Sequence, residues 1–144
     1  MNIQEKQDSI IEDFEFFDDW TQKYEHIIDL GKDLPLIDPT YKTDDYLIKG
    51  CQSQVWLFAE VKDDNKVYFT ADSDAIITKG LVSLMVDALS GQTAKDIAEA
   101  EIYFIDKIGL KSHLSPTRSN GLLSMLNQMK NYAIAFQKQS LQNS

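Results

Sequence analysis

Apolar positions along the chain change period twice, from helical to alternating and back. In residues 8–17, Ile10, Phe14 and Phe17 recur at helical spacing. After Asp18 and Asp19 a second helical stripe follows, made of Trp20, Tyr24, Ile27 and Ile28. The two stripes predict a helical hairpin. Gly31 stands where a helix stop belongs, and Pro35 and Pro39 keep residues 32–43 irregular. From Gln54 to Val61 the period drops to two, with Val55, Leu57, Ala59 and Val61 on one face and Trp56 and Phe58 on the other. The turn "KDDNK" leads to a second strand, "VYFTADS", so the pair predicts an antiparallel β-hairpin. Tyr46 to Ile48 is a candidate third, short strand.

Helical spacing then returns. Asp72, Ser73 and Asp74 can cap a helix that carries Ile77, Leu81, Leu84, Met85 and Ala88, and Gly91 stops it. Thr93 with Asp96 resembles a capping box that opens a short helix to about Ala100. Another short helix is expected over Tyr103 to Ile108, before Gly109. From about Pro116, the positions Leu122, Met125, Leu126, Met129, Ala133 and Phe136 form one long apolar stripe, and the tail "QSLQNS" is expected to fray. The order of elements implies an α+β domain, with a small antiparallel sheet of about three strands packed against N-terminal and C-terminal helices. Residues 1–144 read as one domain with a core over about 8–138.

Composition narrows the function classes. A chain of 144 residues, 43% hydrophobic, can bury one substantial core without disulfides or a structural metal. No apolar run approaches the roughly 20 residues of a membrane span, and "MNIQEKQDSI" lacks a basic stretch followed by an apolar one. A cytoplasmic protein is the expectation. With 14 basic and 23 acidic residues the net charge is -9, which disfavours nucleic acid and suits solubility, with a basic face on a protein partner as the second reading. The single cysteine forms no internal disulfide, so a free thiol in a reducing compartment is expected.

That cysteine, Cys51, lies in "IKGCQSQVWLFAE", after Gly50 and before Gln52, Ser53 and Gln54. A cysteine used as a small hydrophobe belongs inside a periodic pattern, whereas this one interrupts a polar segment beside a permissive glycine. An inert and a reactive thiol both remain open at this point. A thiol with an ordinary pKa of about 8.5 is a few per cent thiolate at neutral pH, and Lys49 or Arg118 nearby would raise that fraction. The available bases are His26, which sits within an amphipathic helix and reads as a surface residue, and His113, placed in a loop before the last helix. One histidine and one cysteine far apart make a poor protease signature, and no spacing matches a zinc site. Nucleotide-binding glycine motifs and the serine-hydrolase elbow are absent from the sequence.

The second unusual stretch is "HLSPTRSNGL", residues 113–122. Ser115 can cap the helix that Pro116 begins, which puts Arg118 in the first turn, where a cation opposes the helix dipole. Arg118 either pairs with a carboxylate of its own chain or attracts an anionic sulfur. Asp74 likewise has two readings, helix cap or polar neighbour of the cysteine loop.

Together "GCQSQVWL" from Gly50, "DSDAIITKGLV" from Asp72, "HLSPTRSNGL" from His113 and "IEDFEFFDDWTQKYEHIIDLGKDLP" from Ile11 resemble the SufE family of sulfur acceptors, over about residues 10–136. The resemblance implies a compact α+β domain that takes sulfur from the persulfide of a SufS-like cysteine desulfurase and passes it to a SufB-containing iron-sulfur scaffold complex. It implies Cys51 as the acceptor, which carries a transient persulfide, with Arg118, His113, Asp74, Gly50 and Gln52 as candidate supporting residues. It implies no cofactor or metal in this chain, since pyridoxal phosphate belongs to the partner, and a monomer or weak homodimer with no nucleic-acid or membrane partner. The rival is a non-catalytic binding or scaffold protein of related fold. Gly50 and the polar residues after Cys51 imply a loop that swings outward on docking.

Overall fold

The computed structural model of the chain describes residues 1–51 and 53–142. Helix α1 (Ile3–Glu15) starts earlier than the apolar stripe predicts because Asn2 caps it. The Asn2 side chain accepts from the Glu5 amide at 2.7 Å, and the Glu5 carboxylate accepts from the Asn2 amide at 3.1 Å, so two otherwise orphaned donors are satisfied. Helix α2 (Trp20–Gly31) is capped by Asp19, which accepts from the Gln22 amide at 2.8 Å. The two helices are not a self-contained hairpin. They meet at the junction, where Phe14 and Phe17 contact the His26 ring at 5.2 and 4.9 Å, but both lay their apolar faces on helix α3 (Ile76–Leu89).

Most of α3 is buried, including Leu81, Val82, Leu84, Met85, Val86, Ala88 and Leu89, as suits a helix enclosed on nearly every side. Gly31 is the last residue of α2 and does more than end it. A Cβ on Gly31 would stand 3.0 Å from the Gly80 amide nitrogen of α3, so these glycines let two helix backbones approach closely.

Strands β1 (Val55–Val61) and β2 (Val67–Ser73) pair antiparallel, from Val55 opposite Ser73 to Val61 opposite Val67. Their alternation holds: Val55, Leu57, Ala59, Val67, Phe69 and Ala71 are buried. Val61 departs from it at 41% exposure, because the strand has reached the turn. On the other face Phe58 stacks on Tyr41 at 4.1 Å and meets Tyr46 at 5.6 Å, which explains its apolar character on the side away from the core.

The expected third strand is replaced by a turn and a bridge. Residues Asp44–Tyr46 form a 3-10 turn, followed by a lone antiparallel bridge between Leu47 and Trp56. Two adjacent aspartates favour a turn over an extended strand, and the chain leaves β1 again at Gly50. The sheet therefore has two strands among the described residues. The opposite edge is met at Ala71, which accepts from the Ile37 amide and donates to the Pro35 carbonyl, each at 3.0 Å.

Beyond α3, Thr93 caps α4 (Ala94–Glu99) as predicted, accepting from the Asp96 amide at 3.2 Å. Two single-turn helices follow, α5 (Phe104–Lys107) and α6 (Leu110–His113). Helix α7 (Pro116–Gln142) begins at the predicted proline, with the Ser115 hydroxyl accepting from the Arg118 amide at 3.3 Å. Its buried stripe, Leu122, Met125, Met129 and Ala133, packs on α3, α4 and β1. The helix runs through Gln142, further into the tail than the polar sequence suggests, and the last two residues lie outside the described ones. Among the described residues no helix is long and apolar enough to cross a membrane.

Candidate functional site

Between the bridge at Leu47 and the start of β1 lies a short loop that holds Lys49, Gly50, Cys51 and Ser53. The loop is fastened at its base. The Ile48 amide donates to the Val55 carbonyl at 2.8 Å, the Gln54 amide donates to the Asp74 carboxylate at 3.1 Å, and the Asp74 amide donates to the Gln54 carbonyl at 3.3 Å. Asp74 is thus a latch on the cysteine loop. It is not the cap of α3, whose N-cap position is held by Ala75, with no side-chain cap. Asp72 is drawn away as well, to Lys42 at 2.9 Å and Lys79 at 3.5 Å.

The tip of the loop lies on α7. Gly50 has φ +90, a conformation that a side chain strains, and a Cβ there would stand 2.9 Å from the Ser124 hydroxyl. The next residue turns its sulfur towards the helix, and the Cys51 thiol donates to the Gly121 carbonyl at 3.7 Å. Around it is a cavity of about 20 Å³ with walls from α3 (Thr78, Leu81) and α7 (Gly121, Leu122, Met125). That volume is on the order of one water-sized sphere.

Partial burial in these apolar walls pushes the Cys51 pKa above the ordinary thiol value, because the thiolate loses solvation. The resting sulfur is therefore a protected thiol. Burial works against the thiolate that a nearby Lys49 or Arg118 is expected to favour. A raised folded-state pKa implies stability that is present below the unfolded thiol value and lost as pH rises through the folded one. The difference in unfolding free energy between the natural protein and Cys51→Ser is thus expected to be flat at neutral pH and to fall above about pH 8.5. Urea titrations at stepped pH read this directly; a difference that grows with pH would contradict it.

The structure places the other predicted residues unequally. Arg118 is exposed and lines the mouth of the Cys51 cavity. Among the described residues it makes no ion pair with a carboxylate of the chain, so the own-chain pairing expected for it is not found. His113 ends α6 instead of sitting in a loop, and it is not brought to the cavity: its ring stacks on Trp20 at 3.8 Å, while its carbonyl accepts from the Tyr24 hydroxyl. His26 is wedged between Phe14 and Phe17, which makes it a packing residue. Gln52 lies outside the described residues. Among the described residues no cluster of three or more His, Cys, Asp or Glu is placed to hold a metal ion. A larger cleft of about 530 Å³, between α1, α2 and α3, shares no residue with the Cys51 cavity.

Sequence reasoning passed over Gly121. The signal was present: a glycine inside a long helix costs about 1 kcal/mol against alanine and asks for a packing reason. Here the reason is the cysteine loop lying across it.

The latch makes a prediction. Asp74→Ala removes the acceptor of the Gln54 amide, a bond worth about 1 kcal/mol, so opening of residues 49–54 is expected to rise about fivefold. Faster amide exchange there and faster alkylation of Cys51, with β1 and β2 unchanged, would show it. Unchanged alkylation would remove Asp74 from the latch.

Comparison with known proteins shows the family of the chain. The family model described as "SufE: Fe-S metabolism associated domain" matches residues 8–133. An uncharacterised SufE-like protein of Rhizobium etli is 42% identical over 130 residues, covering 88% of each chain. The SufE-like protein 1, chloroplastic/mitochondrial, of Arabidopsis thaliana is 38% identical over 129 residues, covering 90% of this chain and 35% of that one. A hypothetical protein from Thermus thermophilus, solved in solution, superposes with a TM-score of 0.75 at 19% identity, over 90% of this chain and 94% of the other, which shows a shared fold. With its one cysteine seated between helices of that fold, the chain belongs to the SufE family, whose domain is associated with iron-sulfur metabolism.

Proposed function

We propose that this chain is a sulfur carrier: Cys51 accepts a sulfur atom from the persulfide of a cysteine desulfurase, speeds that enzyme's turnover, and delivers the atom to an iron-sulfur cluster scaffold. The observation that carries the proposal is the placement of the one thiol, held on a fastened loop with an atom-sized cavity beside it. Family membership supports the choice of partner.

The transfer needs no cofactor in this chain. The Cys51 thiolate attacks the terminal sulfur of the donor persulfide. A new S–S bond forms at Cys51, the donor's S–S bond breaks, and the donor cysteine leaves as a thiolate, with no net oxidation. Pyridoxal phosphate, which releases the sulfur from free cysteine, belongs to the desulfurase. A cytoplasmic, reducing setting agrees with a carrier whose thiol must return to the free state.

Access and shelter make opposite demands on the same sulfur. The inward position keeps it from small thiols, and release of the loop from Asp74 and α7 presents it to a partner. Arg118 at the cavity mouth is a cation beside the path of an anionic sulfur. Exposed Ile76 on α3 and Leu123 on α7 add apolar surface to the two helices that form the cavity walls.

The test is a hand-over experiment. Desulfurase charged with sulfur-labelled cysteine is mixed with this protein, and a scaffold complex is added afterwards. Label is expected to move onto this chain in a reductant-sensitive form and then to leave it for the scaffold. Label that passes from desulfurase to scaffold at the same rate with and without this chain would contradict the proposal.

A further inference from the structure

The wall facing the Cys51 sulfur is a backbone, and that is unusual for a small apolar cavity. Thr78, Leu81, Leu122 and Met125 line other sides of it with side chains, but at Gly121 the helix presents no side chain. A Cβ built there would have Cys51 as its three nearest neighbours, at 3.5 Å from Sγ, 3.7 Å from Cα and 3.8 Å from Cβ. These are ordinary contacts, so alanine fits when the sulfur is bare.

A loaded Cys51 has different needs. Its terminal sulfur sits about 2.05 Å beyond Sγ, and Sγ already faces the Gly121 carbonyl at 3.7 Å. With a methyl group 3.5 Å from Sγ, the space on that side is gone, and the cavity of about 20 Å³ has no second chamber to offer. We infer that Gly121 is a positioning residue of the carrier: its missing side chain reserves the space in which one, and only one, transferred sulfur is sheltered on Cys51. The inference rests on the carrier reading and adds to it a limit on cargo. A persulfide is retained inward, whereas a longer sulfur chain protrudes and is trimmed by solvent thiols. In that trimming a small thiolate attacks an exposed sulfur, breaks the adjacent S–S bond and leaves the shortened chain on Cys51.

Gly121→Ala separates this role from a structural one, because alanine favours the helix and meets no clash in the unloaded protein. Asn120→Ala, exposed and one residue away, controls for the gain in helix propensity. Each protein is loaded by a desulfurase with cysteine, challenged with a small thiol such as glutathione, and weighed intact at intervals. Gly121→Ala is expected to keep the thermal stability of the natural protein and, once loaded, to lose the sulfur about tenfold faster. Asn120→Ala is expected to keep it as long as the natural protein. Equal retention in all three would overturn the inference while leaving the carrier reading intact; failure of the natural protein to load at all would overturn both.

A second arm does not depend on that variant. Loaded instead from inorganic polysulfide and challenged in the same way, the natural protein is expected to be trimmed to one added sulfur, and Leu122→Val, which withdraws a methylene from the wall beside Gly121, to retain a fraction carrying two. Retention of two or more sulfurs by the natural protein, or one sulfur on both, would contradict a chamber sized by these walls.

Discussion

Gly80→Ala is expected to destabilise the protein by about 3 kcal/mol or more, a fall in Tm on the order of 10 °C. The Cβ it adds would stand 2.0 Å from the Ile27 carbonyl oxygen and 2.6 Å from the Ile27 side chain. The nearest atom is backbone, so no rotamer change relieves the overlap. Helix α2 must move away from α3, and the movement opens a core in which Ile27, Leu81 and Leu84 are each under 4% exposed. Against this, alanine returns about 1 kcal/mol of helix propensity, which is too little to offset the separation. The reciprocal Gly31→Ala meets the Gly80 amide at 3.0 Å and is expected to cost less. Thermal and urea unfolding of the two variants give the order; a Gly80→Ala protein as stable as the natural one would mean the helices do not cross as described.

Cys51→Ser is expected to abolish the stimulation of desulfurase turnover while leaving stability near neutral pH almost unchanged. Serine is close in size to the thiol and occupies the same half-buried place beside Gly121. Its hydroxyl, however, does not accept sulfur from a persulfide under these conditions, since the exchange depends on a thiolate nucleophile. The desulfurase then keeps its persulfide until a slower thiol clears it. Rates of alanine formation with the natural protein and with Cys51→Ser give the comparison. Equal stimulation would mean that docking alone drives turnover, which is what a non-catalytic binding protein would do.

Periodicity made most of this architecture legible. Alternating Val55, Leu57 and Ala59, the Thr93 cap and the Pro116 start of the last helix stand where their patterns put them, because each depends on neighbours within a few residues. What failed was decided at longer range. The Tyr46–Ile48 strand lost to local turn chemistry at Asp44 and Asp45. Asp74 sits within capping distance in sequence, yet it is used by Gln54, twenty residues away, because the cysteine loop returns to the head of α3. For His113 the sequence carried no hint of Trp20, against which its ring stacks, and proximity to the thiol was only assumed.

The site divides in the same way. Cys51 on a loop beside a permissive Gly50 could be read from "KGCQSQ", since a thiol among polar residues breaks the apolar pattern; that Gly50 is left-handed could not. The cavity could not, because its walls come from Leu81 and Met125 on helices far apart in the chain. Gly121 and Gly80 were visible as glycines in helical segments. Their partners, Cys51 and Ile27, appear only once the helices are placed.

The central claim is that Cys51 accepts the sulfur, and intact mass measures it most directly. The natural protein and Cys51→Ser are each incubated with a cysteine desulfurase and free cysteine, then weighed before and after reduction. The account predicts a gain of one sulfur atom on the natural protein, removed by the reductant, and no gain on Cys51→Ser. An unchanged natural protein beside an active desulfurase, or an equal gain on Cys51→Ser, would contradict it.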